Sequence, residues 1–184
     1  MATATVAIFL ATGYEEIEAI TVIDILRRAK INIDIISSEN KDFIVGANNI
    51  TIKSDYYFSQ MPNDYAMLIL PGGATGVNNL QKNEHLMNLL KTFNKQNKFI
   101  AAICAAPQIL GLLGIANNKN ISVYPECFNG LETAKIISNE AVVIDGHIIT
   151  ASSAGVAIKF ALQLVAILTN DNIKEMVTKQ LVIL

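Results

Sequence analysis

The stretch KFIAAICAAPQILGLL, residues 98–113, decides the fold. Its run Phe99–Ile103 is wholly apolar, which is typical of a strand buried on both faces of a parallel sheet. Pro107 suits the first turn of a helix, where a missing N–H costs no hydrogen bond. The apolar spacing of Ile109–Leu113, followed by a glycine, predicts a short helix. Cys104 therefore falls at a sharp strand-to-helix turn, a nucleophile elbow, at the carboxyl edge of the sheet.

The position of Cys104 predicts chemistry as well as fold. Backbone N–H groups and the helix dipole favour a thiolate at a helix start, and they lower a cysteine pKa from about 8.5 by one to several units. The small neighbours Ala105 and Ala106 leave room for a substrate to approach. We therefore expect a Cys104 pKa well below about 7. The alternative is a buried cysteine that acts only as a small hydrophobe.

Composition places the chain among globular proteins. An apolar fraction of 52% and a charged fraction of 16% predict one domain, residues 1–184, with a heavily buried sheet. A net charge of −2 without a basic cluster argues against nucleic acid as a partner. Two cysteines form neither a disulfide framework nor a zinc pattern. We therefore expect a cytoplasmic protein without a metal or another cofactor.

The sequence contains no stretch that predicts a membrane segment. The most apolar late region, Val156–Leu168, is short and contains Lys159 and Gln163. The N-terminal residues lack the basic start of a signal peptide, and they suit a first buried strand better. We expect neither membrane insertion nor secretion.

Strand-like and helix-like segments alternate along the chain. Short apolar runs and helical spacing predict strands at 5–10, 31–37, 50–53, 67–70, 99–103 and 121–124, and helices at 15–29, 80–93, 155–169 and 173–179. Asp145-Gly146 predicts a hairpin turn between strands 141–144 and 148–150. Ser152 and Ser153 are expected to cap the helix that follows.

This order of segments predicts an open α/β fold. The sheet is expected to be mostly parallel and covered by helices on both faces, with one added β-hairpin. Ligands of such sheets bind outside the carboxyl ends of the strands. Three loops meet that description, Gly13–Glu18, Pro71–Gly76 and Cys104–Pro107.

The helix at 15–29 has a predicted apolar stripe and an acidic start. Glu15 and Glu16 are expected to be solvated acids that interact favourably with the helix dipole. The stripe is expected to contain the residues that recur at helical spacing, namely Ile17, Ile20, Ile23, Leu26 and Ala29.

Glu18 is the carboxylate that we expect to face Cys104. It lies at the margin of the apolar stripe, and a solvated first-turn acid is the alternative. A thiolate and a carboxylate in contact repel each other, so one of the two must hold a proton. Because the helix start favours the thiolate, we expect the proton on Glu18, which then donates to the sulfur. Loss of this hydrogen bond is expected to raise the Cys104 pKa.

Backbone amides form the second candidate feature. Pro71-Gly72-Gly73 simply ends a strand in the plainest interpretation. The functional interpretation is that the N–H groups of Gly73 and Ala105 converge as donors to an oxyanion. Cys127 is expected to be a structural or surface thiol, with a resolving partner for Cys104 as the alternative.

The two histidines, His85 and His147, fall at a helix start and in the Asp-Gly hairpin. Neither is expected near Cys104, so the sequence does not favour a Cys/His hydrolase.

These segments resemble the ThiJ/PfpI superfamily, and within it the DJ-one-like branch. The resemblance covers nearly the whole chain and is carried by GYEEIEAI (13–20), LILPGG (68–73), AAICAAP (101–107), YP (124–125) and ITASSAG (149–155). It implies a flavodoxin-like fold, a homodimer, a nucleophilic Cys104, a protonated Glu18 and oxyanion donors at Gly73 and Ala105.

The chain departs from the family pattern at four positions that surround the expected pocket. Tyr124 stands where the branch has a histidine, and Ala105 stands where the protease-like members have one, so peptidase activity is not expected. Asn48 and Ser152 replace two pocket arginines. Tyr124, Ser152 and Asn48 are nevertheless expected to line the pocket, together with Gly72.

Two hypotheses about function, from different classes, both depend on a reactive Cys104 thiol. The first is a cysteine-nucleophile enzyme of the glyoxalase or deglycase type, which acts on small reactive carbonyls in oxidative or carbonyl stress, as the resemblance implies. The second is a redox-sensing or chaperone protein that uses oxidation of Cys104 and has no dedicated substrate.

Overall fold

The computed structural model describes residues 5–183. Residues 1–4 and 184 lie outside the described residues. They belong to the N-terminal segment considered as a signal peptide and to the predicted domain 1–184. Eleven strands and six α-helices follow one another in the described part, at β1 (Thr5–Leu10), α1 (Glu16–Arg28), β2 (Asn32–Ser37), β3 (Phe43–Val45), β4 (Thr51–Lys53), β5 (Tyr56–Tyr57), β6 (Met67–Leu70), α2 (Ala74–Gln81), α3 (Glu84–Lys95), β7 (Phe99–Ile103), α4 (Pro107–Leu112), β8 (Asn120–Ile121), β9 (Lys135–Ile136), β10 (Val142–Asp145), β11 (Ile148–Ala151), α5 (Ala157–Leu168) and α6 (Asp171–Gln180).

Seven of these strands form the central sheet, in the order β10-β11-β7-β6-β1-β2-β5. All neighbours are parallel except β10 and β11, which form the antiparallel hairpin at one edge. The predicted mostly parallel sheet with one added hairpin is therefore confirmed. In the sheet, β1 lies between β2 and β6. From β1 the chain first adds β2 and β5 on one side and then adds β6 and β7 on the other, so the strand order reverses at β1. Ligand sites of open α/β sheets lie at such reversals.

Alternating side chains of the strands build two apolar layers. In β7, Ala101 and Ile103 pack on the side of α1, α5 and α6, whereas Ile100 and Ala102 pack on the side of α2, α3 and α4. Both faces of the strand are thus covered by helices, which is why its sequence is an uninterrupted apolar run.

Three boundary predictions were wrong in detail. The helix expected at 80–93 is two helices, because Asn83 interrupts it and caps α3 by accepting the Leu86 N–H at 3.0 Å. The strand expected at 121–124 is only Asn120–Ile121, and it pairs with β9 outside the central sheet. Ser153 precedes a 3₁₀ turn at Ala154–Val156 without a side-chain capping bond, so the expected serine cap is absent.

The strand predicted at 50–53 is present, but it pairs differently from what an open α/β sheet would require. Its strand β4 forms a separate two-stranded hairpin with β3 and does not enter the central sheet. The chain reaches the edge of that sheet later, through β5, which pairs with β2. The positions of β3, β5 and β9 were not predicted, since each is only two or three residues long.

The buried face of α1 differs from the predicted stripe. Ile17 and Ile20 are 58% and 39% exposed, and Glu16 is buried at 3% exposure. The expectation that Glu16 is a solvated acid was wrong because its carboxylate is held by the β3–β4 hairpin. It accepts the Asn48 N–H at 2.6 Å and the Asn48 Nδ2 at 3.0 Å. No helix among residues 5–183 is long and apolar enough to cross a membrane.

Candidate active site

Cys104 lies at the turn between β7 and α4. Its φ angle is 64°, in the left-handed region that residues with a side chain rarely adopt. Two backbone hydrogen bonds of 2.9 Å hold this turn: the Cys104 N–H donates to the Ala151 carbonyl of β11, and the Cys104 carbonyl accepts the Tyr124 N–H. The surrounding strands therefore maintain a strained backbone whose side chain remains partly exposed.

Glu18 supplies a fully buried carboxyl group beside this sulfur. The side chain is 0% exposed, and its Oε2 accepts the Gly72 N–H at 2.6 Å. The carboxyl group is also within hydrogen-bonding distance of the Cys104 thiol. Oε1 is buried and has no hydrogen-bond partner among residues 5–183, so one oxygen of the carboxyl group is free to take up a proton.

The backbone of Gly72 lies against both the carboxyl group of Glu18 and Cys104. A Cβ atom at this position would lie 2.6 Å from Glu18 Oε2 and 2.7 Å from Cys104 Cβ. Real Cβ atoms do not make contacts this short, so any side chain at residue 72 would push the two groups apart. Residue 72 must therefore be glycine, because there is no space for a side chain between these neighbours.

Two backbone amides complete the surroundings of the sulfur. The N–H groups of Ala105 and Gly73 lie beside the Cys104 sulfur, and each lowers its pKa. Gly73 has a φ angle of 91°, a conformation that residues with a side chain rarely adopt. The two amides that the sequence predicts as oxyanion donors therefore both lie close to the Cys104 sulfur.

The ionisation of the pair differs from the sequence-based expectation. Burial raises the pKa of Glu18 to about 7. Burial, followed by the charge of Glu18, raises the pKa of Cys104 to about 12. The expected Cys104 pKa below about 7 does not follow from this geometry, because desolvation and a neighbouring acid outweigh the two amide donors. The resting pair is a thiol beside a carboxyl group that titrates near neutral pH.

A cleft of about 450 Å³ opens from the sulfur to the surface. Glu18, Gly73 and Ala105 form its inner wall with Cys104. Its outer wall is contributed by Glu15, Ala74, Tyr124, Cys127, Ser153, Ala154 and Gly155. A small molecule can therefore reach a sulfur that has a base on one side and two N–H donors beside it.

Comparison with known proteins shows the family of this chain. Residues 4–167 match the model of the DJ-1/PfpI family. The chain belongs to this family. It is 31% identical to the protein dj-1beta of Drosophila melanogaster over 178 residues, which is 96% of this chain and 95% of the relative. The crystal structure of Drosophila melanogaster DJ-1beta superimposes with a TM-score of 0.95 at 29% identity and covers 99% of both chains.

A second relative carries an activity in its name. The glutathione-independent glyoxalase DJ-1 of Schizosaccharomyces pombe is 30% identical over 169 residues, which is 86% of this chain and 88% of that protein. Lengths differ elsewhere in the DJ-1/PfpI family. The chain spans only 36% of the DJ-1 homolog B of Arabidopsis thaliana, to which it is 32% identical over 158 residues.

The remaining pocket residues expected from the family lie in three different places. Tyr124 lines the cleft, and the bond that joins it to Cys104 is made by its backbone N–H. Ser152 lines a neighbouring groove of about 390 Å³ instead of the cleft itself. Asn48 does not line the cleft, because its N–H and its amide group are engaged by Glu16. An anion site built on Asn48 and Ser152 is therefore not formed.

The histidines lie apart from the cleft, as the sequence predicted. The His147 ring is hydrogen-bonded to Asn94 at 2.8 Å, and the His85 ring stacks on Phe58 with centroids 6.1 Å apart. Neither residue lines the cleft. Among residues 5–183, no three His, Cys, Asp or Glu side chains cluster closely enough to hold a metal ion.

Two cleft residues were missed or misjudged from the sequence. Cys127 was expected to be structural or superficial, and Ser153 was expected to cap a helix, yet both line the cleft. Cys127 lies in an irregular segment between β8 and β9, so no periodic signal marks its direction. Only its position three residues after Tyr124, the family's pocket position, hinted at the site.

Proposed function

We propose that this DJ-1/PfpI protein is a cysteine-dependent enzyme that acts on small reactive carbonyl compounds. The proposed activity is of the glyoxalase type on 2-oxoaldehydes, or of the deglycase type on their adducts with amines and thiols. The observation that carries the proposal is the buried Glu18 carboxyl group next to the partly exposed Cys104 sulfur. The name of the Schizosaccharomyces pombe relative supports the choice of reaction.

In the first step, Cys104 attacks the aldehyde carbon. Glu18 accepts the thiol proton while the carbon–sulfur bond forms, and its raised pKa of about 7 suits a general base at neutral pH. The carbonyl oxygen becomes negatively charged and accepts hydrogen bonds from the Gly73 and Ala105 N–H groups. Glu18 then gives this proton to the oxygen, which completes the hemithioacetal and restores the carboxylate.

In the second step, Glu18 moves a proton between adjacent carbons. As a carboxylate it takes the C–H proton of the hemithioacetal carbon, which leaves an enediolate, and it returns a proton to the neighbouring carbon. The product is a thioester of a 2-hydroxy acid on Cys104. Hydrolysis by water releases the hydroxy acid and restores the thiol, so no external oxidant or reductant is needed.

The decisive experiment measures lactate formed from methylglyoxal without glutathione. We expect activity in the native protein and a loss of at least about 100-fold in Cys104→Ala, because alanine leaves no nucleophile beside the Glu18 carboxyl group. Ser153→Ala, on the outer wall of the same cleft, is the matched control and should retain most of the rate. Equal rates in the native protein and Cys104→Ala would end the proposal.

A redox-sensing or chaperone role is the second candidate. It is favoured by the partial exposure of the Cys104 sulfur and by the two N–H groups that can stabilise an oxidised sulfur anion. Protein that forms no lactate, but is oxidised by peroxide at Cys104 in preference to its methionines, would favour this candidate over the enzyme. A peptidase is not proposed, since Ala105 occupies the position next to the nucleophile.

We also propose a homodimer, with the outer face of α1 at its interface. Ile17 and Ile20 are exposed on this helix, and Phe43 and Val45 are exposed on β3. The loop before α1 adjoins β3, because the Gly13 N–H donates to the Val45 carbonyl at 2.8 Å. Exposed apolar side chains on such adjoining segments are typical of protein interfaces. The free thiols support a reducing compartment, and we place the reaction in the cytoplasm.

A further inference from the structure

The two cysteines in the described part of the chain line the same cleft. Cys104 lies on the inner wall and Cys127 on the outer wall, and both are partly exposed. Their backbones are linked through Tyr124, whose N–H donates to the Cys104 carbonyl at 2.9 Å and whose carbonyl accepts the Cys127 N–H at 3.0 Å. The catalytic scheme above uses only the first of these thiols.

We propose that Cys127 is the resolving cysteine of Cys104, and that the two form an intramolecular disulfide after Cys104 reacts with a hydroperoxide. The proposal rests on the reactive Cys104 of the proposed function, but not on any carbonyl substrate. It assigns a reversible oxidation site to the cleft and gives the second thiol a role.

The turn that carries Cys127 is suited to the required movement. A disulfide requires Cα atoms within about 7 Å, so the turn and the elbow must approach each other to that distance. Tyr124, Pro125 and Glu126 are exposed, and Cys127 alone in residues 124–127 packs against an apolar layer. Glu126 has a φ angle of 72°, which shows that the turn is already in an unfavourable backbone conformation.

The reaction balances as two displacements. With Glu18 as the proton acceptor, the Cys104 sulfur attacks one peroxide oxygen; the S–O bond forms, the O–O bond breaks, and the released hydroxide takes up the proton as water. The Cys127 sulfur then attacks the sulfenic sulfur; the S–S bond forms, the S–O bond breaks, and the oxygen leaves as water. Two thiols are oxidised by two electrons in total, and one hydroperoxide is reduced.

The two thiols are chemically distinct in a way that suits this order. Cys104 is in contact with a proton acceptor, Glu18. Burial, followed by the charge of Glu126, raises the pKa of Cys127 as well, so both groups are thiols at neutral pH and the proton acceptor beside Cys104 decides the order. Peroxide therefore reacts first at Cys104.

The experiment exposes the reduced full chain to one equivalent of hydrogen peroxide, blocks free thiols with a maleimide, and measures intact mass without reductant. We expect the native protein to lose the mass of two hydrogen atoms, to take up no maleimide, and to yield one cross-linked peptide that contains Cys104 and Cys127. In Cys127→Ser, Cys104 should instead gain one oxygen atom as the sulfenic acid, and a second equivalent of hydrogen peroxide, added to both proteins, should carry it to the sulfinic acid.

Reversibility provides the second readout. Dithiothreitol should restore the free Cys104 thiol in the oxidised native protein and fail to restore it in oxidised Cys127→Ser. Equal accumulation of sulfinic acid in the two proteins, or a disulfide only between separate chains on a non-reducing gel, would overturn the proposal. Lactate formation is assayed separately on the reduced proteins, so loss of the carbonyl activity and loss of the disulfide are distinguishable.

Discussion

The carboxyl group of Glu18 lies within hydrogen-bonding distance of the Cys104 sulfur, although the two residues belong to elements far apart in the chain. Glu18 follows β1 and Cys104 ends β7, with β6 between these strands in the sheet. The loop after β6 supplies the Gly72 N–H that fixes the other oxygen of the carboxyl group. Three neighbouring strand ends therefore hold one acid–thiol pair, and its titration can be tested directly.

Replacement of Glu18 by glutamine should lower the Cys104 pKa from its raised value near 12, because the charge that opposes the thiolate is removed. Ultraviolet absorbance of the thiolate during a pH titration measures this change. In the native protein, alkylation of Cys104 should also accelerate through an inflection near pH 7, where Glu18 becomes a base. That inflection should be absent in Glu18→Gln. A rise of the Cys104 pKa in the variant, as expected from the sequence, would contradict the structure.

The stability of the fold should depend on the protonation of Glu18. Its pKa is 4.5 in the unfolded reference and about 7 in the folded chain, so the folded state binds more protons between these values. Stability is therefore fully present below about pH 4.5 and decreases as the pH rises through 7, by about 3 kcal/mol. Glu18→Gln should lose this contribution to the pH dependence.

Urea unfolding at several pH values from 5 to about 8 measures the effect. The free energy of unfolding of Glu18→Gln should rise relative to that of the native protein as the pH increases. Ser153→Ala, which leaves the titrating groups of the cleft unchanged, should keep a constant difference. A constant difference for Glu18→Gln as well would show that the carboxyl group is not desolvated.

Gly72→Ala should damage the site more than the fold. The new Cβ would contact both Glu18 Oε2 and Cys104 Cβ at distances near 2.6 Å, so the acid and the thiol must separate. We expect a loss of lactate formation of about 100-fold or more and a destabilisation of about 1–3 kcal/mol. Gly155→Ala is the matched control in the same cleft, since its Cβ would meet only Ser153 Oγ, at 3.7 Å. Similar losses in the two variants would argue against a positional role for Gly72.

The double variant Ile17→Glu, Phe43→Glu should be a monomer. Burying two carboxylates at an apolar interface without partners costs several kcal/mol, which is enough to dissociate an ordinary dimer. Light scattering coupled to size-exclusion chromatography compares the mass of this variant with that of the native protein. Leu112→Glu, on an exposed position of α4 across the sheet, should leave the mass unchanged. A native protein that is already monomeric would contradict the proposed interface.

The positions of several site residues could be predicted from the sequence, because strands and helices have characteristic patterns over a few residues. The apolar run 99–103, Pro107 and the position of Cys104 between them predicted the elbow, and the parallel order of strands predicted that three loops share one edge. The break at Asn83 and the short strands β3, β5 and β9 were missed, since a capping residue or a two-residue pairing leaves little periodic signal. The burial of Glu16 was missed because its partner, Asn48, lies on a hairpin that the sequence did not reveal.

By itself, the sequence determined the α/β sheet, the elbow at Cys104 and the presence of an acid within one turn of the first helix, because hydrophobic periodicity and backbone constraints act over a few residues. The tertiary structure alone decided which acid is buried, that Cys127 shares the cleft, and in which direction the Cys104 pKa shifts. Those properties depend on desolvation and on distances between distant segments, which no local pattern encodes.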